Sequence, residues 1–355
     1  MPAPSPSVAI TYVPADCGSL IPGKSKAPQA FRDAGIVQAL LDAGVPLVAE
    51  HEALATPALW DGKGRVVGGV RDEERNVGVC VDVEGSLLHH MGSGTRNGMK
   101  DEEGGLDIEE TPFQLILGGE CSMLPGILSA LHTHFSPLRI GLVYIDADTD
   151  LSSPLDSTSG TFAGMNMCHL LRTPGALDAM RRFGKLDGAP MCDERNTVFF
   201  ATNMRNQGNS REHFSYLFEH GFKVVPAAAV ARDSQQCARD ALAHLDQHVD
   251  VILVHLDIDA IDAGDFPLAN VPQYTGARFE HVMSALEVFV GCEKVGALCV
   301  AEGNPDHDPG LGMVRRLVGR VGGIVGGRWR EEAVHIFCQC LVIYVAAAAA
   351  GSIPA

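Results

Sequence analysis

Short runs of apolar, β-branched residues alternate along this chain with longer stretches of helical character. Val8–Val13, Pro46–Ala49, Phe113–Leu117, Arg139–Ile145, Thr197–Ala201, Lys223–Val225, Val249–Ile258 and Lys294–Val300 read as strands. Several are nearly continuous in Val, Ile and Leu, as parallel strands covered on both faces are. Between them, Pro28–Ala43, Leu124–His134, Ala163–Leu171, Ser210–His220, Cys237–His248 and Glu280–Phe289 read as helices. The alternation predicts an α/β fold: a three-layer sandwich with a central parallel sheet of about eight strands. No Pro/Ser-rich linker and no internal repeat interrupts it, so residues 1–355 read as a single domain.

Three segments depart from the rhythm. Glu84–Gly104 is glycine-rich, carries Lys and clustered acids and has little apolar periodicity, so it reads as a loop. A loop of that length is either a lid over a site or a surface excursion. Gly319–Gly327 is also glycine-rich but lacks G-x-x-x-x-G-K-[ST], so no nucleotide site is read from it. Val334–Gly351 has the length of a short membrane span, yet it contains His335 and Gln339 and follows Arg328, Arg330, Glu331 and Glu332. It reads as a carboxy-terminal helix buried in the protein, with no membrane partner.

Composition narrows the functional classes. A 46% hydrophobic and 20% charged chain has the apolar content for a large core, which excludes disorder. With 44 acids against 27 bases, a net charge of −17, it is a poor partner for nucleic acid and suits a cation. The ten cysteines form no C-x-x-C pair, and Met1–Ser7 has neither the basic nor the apolar part of a secretory signal. Together these point to reduced thiols and a cytoplasmic protein.

The acids concentrate after three predicted strands. Arg139–Ile145 leads into Asp146-Ala147-Asp148-Thr149-Asp150, Val249–Leu256 into Asp257-Ile258-Asp259, and Phe113–Leu117 into Gly118-Gly119-Glu120-Cys121-Ser122. Strand alternation puts residues i and i+2 on one face, so each aspartate pair can converge. In open parallel sheets the ligand crevice lies at these carboxyl ends. Five aspartates gathered there need protons or cations, and an oxygen-rich cluster suits a hard divalent ion such as Mn²⁺ or Mg²⁺. The competing reading is that these are loop aspartates capping the next helices.

Four motifs then resemble those of the ureohydrolase family of arginases, agmatinases, formiminoglutamases and guanidinobutyrases. Gly118–Ser122 (GGECS) is similar to GGDHS, Asp146–Asp150 (DADTD) to DAHxD, Asp257–Ala263 (DIDAIDA) to DxDxxDP, and Glu302–Pro305 (EGNP) to E-x-NP. Gly23–Pro28 with Phe31-Arg32, and Thr158-Ser159-Gly160 with Gly164-Met165, match two further family stretches, so the likeness spans nearly the whole chain. The resemblance implies an arginase-like fold. It also implies two Mn²⁺ ions sharing a bridging water or hydroxide, which attacks a guanidino or formimino carbon. By motif position, Asp146 and Asp257 would bridge the ions. Cys121 and Asp150 would complete one site and Asp148 and Asp259 the other, while Glu302 would face the guanidinium. Asp148, Glu302 and His255 are thus the candidate catalytic residues, and Ser159, Thr161, Arg205, Asn206 and Glu302 the candidate substrate-binding ones. Glu280 falls where many members have a glutamate, and otherwise reads as a helix residue.

The departures change the expected chemistry. Both family metal-binding histidines are replaced, by Cys121 and Asp148. Five carboxylates and a thiolate then carry −6 against the +4 of two divalent ions. Such a set makes a weaker Lewis acid, and the thiolate favours a softer ion, so Zn²⁺ stands beside Mn²⁺, with one or two ions bound. Cys121 reads either as a ligand or as a free thiol with one metal site lost. The family's loop histidine, its proton shuttle, is Ala163 here and the loop asparagine is Thr161, leaving His255 and His307 to supply a proton. Asn203-Met204-Arg205-Asn206 replaces an acidic pattern, and Arg205 suits a substrate carboxylate. Two readings follow. One is a metal-dependent hydrolase of a linear amidine, guanidino, formimino or amide C–N bond, with a substrate other than arginine. The other is a catalytically inactive homologue kept as a binding or regulatory protein. Resemblance also implies a homo-oligomer, a trimer or hexamer.

Overall fold

A computed structural model describes residues 7–62, 69–93, 111–185 and 187–329. Its centre is an eight-stranded parallel sheet: β1 (Val8–Val13), β2 (Val48–Glu52), β3 (Phe113–Gly118), β4 (Ile140–Ile145), β5 (Thr197–Thr202), β6 (Lys223–Pro226), β7 (Val251–Asp257) and β8 (Val295–Ala301). Seven fall on the apolar runs read from the sequence, and β2 overlaps its expected run, 46–49, only at Val48 and Ala49. The spatial order is β2-β1-β3-β8-β7-β4-β5-β6. Alternate residues face opposite layers: on β4, Val143 and Ile145 join one buried cluster while Leu142 and Tyr144 join the other. Helices α1 (Ala27–Asp33), α2 (Ile36–Asp42), α7 (Ala227–Val230), α8 (Ser234–Leu245), α9 (Phe279–Val290) and a helix over 312–329 cover the first face. On the second lie α3 (Glu73–Ser93), α4 (Leu124–His134), α5 (Asn166–Leu171) and α6 (Arg211–Glu219). Strands buried on both faces need no polar alternation, which is why their apolar runs are continuous.

Two expectations are corrected. The loop expected at Glu84–Gly104 is helical as far as Ser93, and the remainder lies outside the described residues. Val79, Cys80, Val83, Leu87 and Met91 form a fully buried stripe at helical spacing on α3, which overrides Gly85 and Gly92. α3 packs so closely on α4 that a Cβ on Gly126 would meet the Cys80 carbonyl oxygen at 2.2 Å. The helix expected at Pro28–Ala43 is two, α1 and α2, broken at Gly35, whose φ of 81° no continuing helix accepts. The Gly319–Gly327 stretch lies within the helix over 312–329, where a Cβ on Gly322 or Gly326 would approach those of Ala39 and Ala43 to 2.8 and 2.3 Å. Gly322 and Gly326 thus serve helix packing against α2 and its C-cap. Among the described residues, no helix is long and apolar enough to cross a membrane, and Val334–Gly351 lies outside them.

Candidate active site

Strand order brings together what the chain separates. β3, β8, β7 and β4 are consecutive in the sheet, and their carboxyl ends release Cys121, Glu302, Asp257 and Asp146 side by side. Ile145 pairs with Leu256 across β4–β7, so Asp146 and Asp257 emerge next to each other. Asp257 in turn pairs with Ala301 on β8, one residue before Glu302. Asp150 and Glu302 hold left-handed backbones, φ 49° and 69°, an expensive conformation for residues with side chains that clusters at functional sites.

A cavity of about 1170 Å³ opens at these ends. Cys121, Asp146, Asp148, Asp150, Asp257, Asp259, Glu302, Ser159, Thr161, Arg205 and Asn206 all line it, as does Ala163. Two tighter groupings stand out, each with potential ligand atoms within 4.8 Å of one another: Cys121, Asp257 and Glu302, and Asp146, His255 and Asp257. Asp148, Asp150 and Asp259 share the cavity but lie outside both groups. The Asp148 carboxylate folds back to accept the N–H groups of Thr149 and Asp150 at 2.7 and 3.2 Å, and Asn206 reaches it at 3.4 Å. The Tyr144 hydroxyl donates to Asp150.

Burial governs the electrostatics. Asp146, Asp150 and Asp257 are pushed well above the usual carboxylate range, first by desolvation and then by one another and by Asp148 and Asp259. Asp259 rises to about 7 through burial and the charge on Asp148. The Cys121 thiol is raised by burial and by Glu302, and Asn166 Nδ2 donates to its sulfur at 3.1 Å. A cation among these groups reverses the penalty, because its charge favours each ionised form.

His255 lies behind the cavity wall. It is fully buried, neither ring nitrogen has a hydrogen-bond partner among the described residues, and burial lowers its pKa to about 3. A neutral imidazole sealed from the cavity cannot deliver a proton into it; what it offers is a lone pair beside Asp146 and Asp257. His307 is exposed, contacts Asn270 Oδ1 at 3.0 Å and does not line the cavity. Glu280 is on the surface of α9, paired with Arg316 and Arg320.

Three positions at the site escaped the sequence reading. Lys24, in a 3₁₀ turn at Lys24–Lys26, is 4% exposed and donates to Glu302 Oε2 at 2.5 Å, with Glu120 Oε2 at 4.0 Å. Burial alone would lower its pKa, but Glu302 and Glu120 outweigh that and raise it. The other Glu302 oxygen accepts the Cys121 N–H at 2.8 Å. His213, at the third position of α6, lines the cavity; its Nδ1 faces Thr149 Oγ1 at 3.2 Å and accepts the Ser210 N–H at 3.4 Å. Tyr144 orients Asp150. Lys24 lies within the matched stretch Gly23–Pro28 but was not singled out there, and no motif spacing marks His213 or Tyr144.

A model of the family described as "Arginase family" matches residues 6–321. The chain belongs to the arginase family. It is 22% identical over 309 residues to an arginase of Bacillus caldovelox, covering 85% of this chain and 92% of that protein. The solved structure of the Bacillus caldovelox arginase superposes with a TM-score of 0.75 at 20% identity, covering 90% of this chain and 98% of that one. The proclavaminate amidino hydrolase of Streptomyces clavuligerus gives a TM-score of 0.63 at 19% identity, with 92% of each chain covered. At about 20% identity to these relatives, this chain is a divergent member of the arginase family.

Proposed function

We propose that this protein is a metal-dependent hydrolase of a non-peptide C–N bond in a small linear amidine, guanidino, formimino or amide compound other than arginine. The observation that carries the reading is the convergence of Cys121, Asp146, Asp257 and Glu302 on one large cavity at the carboxyl ends of four adjacent strands. The donor set fits a divalent cation. Buried carboxylates need a counter-charge, and His255 presents two unsatisfied nitrogens beside two of them. Asp146 and Asp257 would be shared between two ions, with Cys121 and Asp150 on one side, Asp148 and Asp259 on the other, and His255 in place of a lost imidazole. One ion is sufficient if Cys121 stays a thiol. Carboxylates and imidazole suit Mn²⁺, and the cysteine sulfur draws the set toward Zn²⁺. A bound divalent ion would polarise water and substrate and make a hydroxide nucleophile accessible near neutrality.

The chain's own residues account for the rest. His213 takes the role that the family gives the loop histidine: with Nδ1 engaged by Ser210, Nε2 carries the proton that a leaving nitrogen needs. Ser159 and Thr161, joined through their hydroxyls at 2.9 Å, and Asn206 line the substrate side. Arg205 is exposed at the mouth and suits a substrate carboxylate. Cytoplasmic residence and assembly as a trimer or hexamer belong to the same proposal.

The inactive reading draws on Ala163, which has no proton to give, and on the engagement of both Glu302 oxygens. One experiment separates the two: calorimetric titration of the purified protein with Mn²⁺ and Zn²⁺, followed by a screen of guanidino, formimino and ureido compounds for urea, formamide or ammonia. Metal binding with turnover supports the hydrolase; no affinity for either ion overturns it.

A further inference from the structure

Resting on the hydrolase reading, we infer that the reacting group of the substrate is a neutral carbonyl, a ureido or carboxamide head, which Lys24 binds through its oxygen. Glu302, the acid that the family resemblance sets beside a guanidinium, already accepts a hydrogen bond on each oxygen. Oε2 accepts from the Lys24 ammonium at 2.5 Å and Oε1 from the Cys121 N–H at 2.8 Å. A guanidinium brought to Glu302 would therefore stand against an ammonium that is almost wholly shielded from solvent. Two cations in contact without water between them repel strongly.

The same ammonium suits the opposite ligand. It has three donor hydrogens, and among the described residues only Glu302 lies within hydrogen-bond distance, since Glu120 is 4.0 Å away. Lys24 lines the cavity beside Cys121 and Glu302, so a remaining N–H is available to an acceptor there. A carbonyl oxygen accepts such a bond; a guanidinium has only donors. In the transition state of acyl transfer that oxygen gains negative charge, which a fixed ammonium stabilises more than it stabilises the ground state. The bond from the carbonyl carbon to the leaving nitrogen breaks, the oxygen of water takes its place, and the leaving nitrogen receives the proton. With Arg205 at the mouth, a carboxylate tail completes the fit.

N-carbamoylglycine and guanidinoacetate share that tail and differ in carrying a carbonyl oxygen or a protonated nitrogen, so they isolate the effect of Lys24. Calorimetry on the full-length protein, metal-free and Mn²⁺-loaded, should show N-carbamoylglycine bound at least tenfold more tightly. In Lys24→Met, guanidinoacetate should gain tenfold or more and the preference should reverse. A wild type that binds guanidinoacetate at least as tightly, or neither compound, overturns the inference, as does a folded Lys24→Met protein with the wild-type preference. If Lys24→Met does not fold, the wild-type comparison decides alone. Failure of the hydrolase reading is seen separately, as no metal affinity in the same titrations.

Discussion

The rings of Tyr144 and His255 lie parallel, with centroids 5.0 Å apart and 12° between their planes, on directly paired positions of β4 and β7. This stack ties together two features of the site. Its tyrosine donates to Asp150, and its imidazole leaves two nitrogens unsatisfied next to Asp146 and Asp257. A buried polar group without a partner is costly in a metal-free protein and useful in a metal-loaded one.

His255→Phe keeps the ring stacking and removes both orphaned nitrogens. The metal-free variant should be more stable than wild type by roughly 1–2 kcal/mol, the typical cost of an unmet buried donor or acceptor. Its affinity for the divalent ion should fall. Thermal unfolding with and without Mn²⁺ reads both effects, and a variant stabilised by metal as strongly as wild type would exclude His255 as a ligand.

Asp257 is common to both tight groupings of candidate ligands, so Asp257→Ala should affect metal binding most. A loss greater than the roughly 10–100-fold typical of an outer partner is expected in calorimetry, together with loss of any turnover. Retained activity would refute the assignment of the centre.

Asp259 gives a pH signature. Its folded pKa of about 7 lies above the ordinary value of 3.8, so the unfolded chain gives up this proton first as pH rises. The native state then binds more protons than the unfolded one, and stability from this group is lost between about pH 4 and pH 7. Asp259→Asn removes the effect. The melting temperature of the variant minus that of metal-free wild type should grow across this window and level off above it. A difference that is flat with pH would contradict the raised carboxyl.

The contact between α3 and α4 makes a stability prediction away from the site. Gly126→Ala forces a methyl against the Cys80 carbonyl, where overpacking costs about 1–3 kcal/mol. Gly85→Ala on the exposed face of α3 meets nothing within 4 Å and should stabilise by about 0.5–1 kcal/mol. Chemical denaturation of the two variants should give opposite signs.

The sequence alone was sufficient for the central strands, because strands buried on both faces announce themselves as local apolar runs; the partly exposed edge strand β2 overlaps its expected run only at Val48 and Ala49. For the site it marked the acids that line the cavity, but not which of them come within ligand distance of one another: Asp148, Asp150 and Asp259 stand outside both tight groupings, and His255 stands in one. It fell short at α3, where Gly85 and Gly92 masked a helical stripe that only packing against α4 makes decisive. Tertiary structure alone decided the strand order that sets β8 between β3 and β7 and so carries Glu302 to Cys121. It alone paired Lys24 with Glu302, 278 positions away, and put His213 in the cavity wall. Local periodicity reports what one element buries, whereas the charge that meets a buried carboxylate depends on how distant loops are brought together. The family motifs therefore located the acids, and only the fold revealed that an ammonium already stands among them.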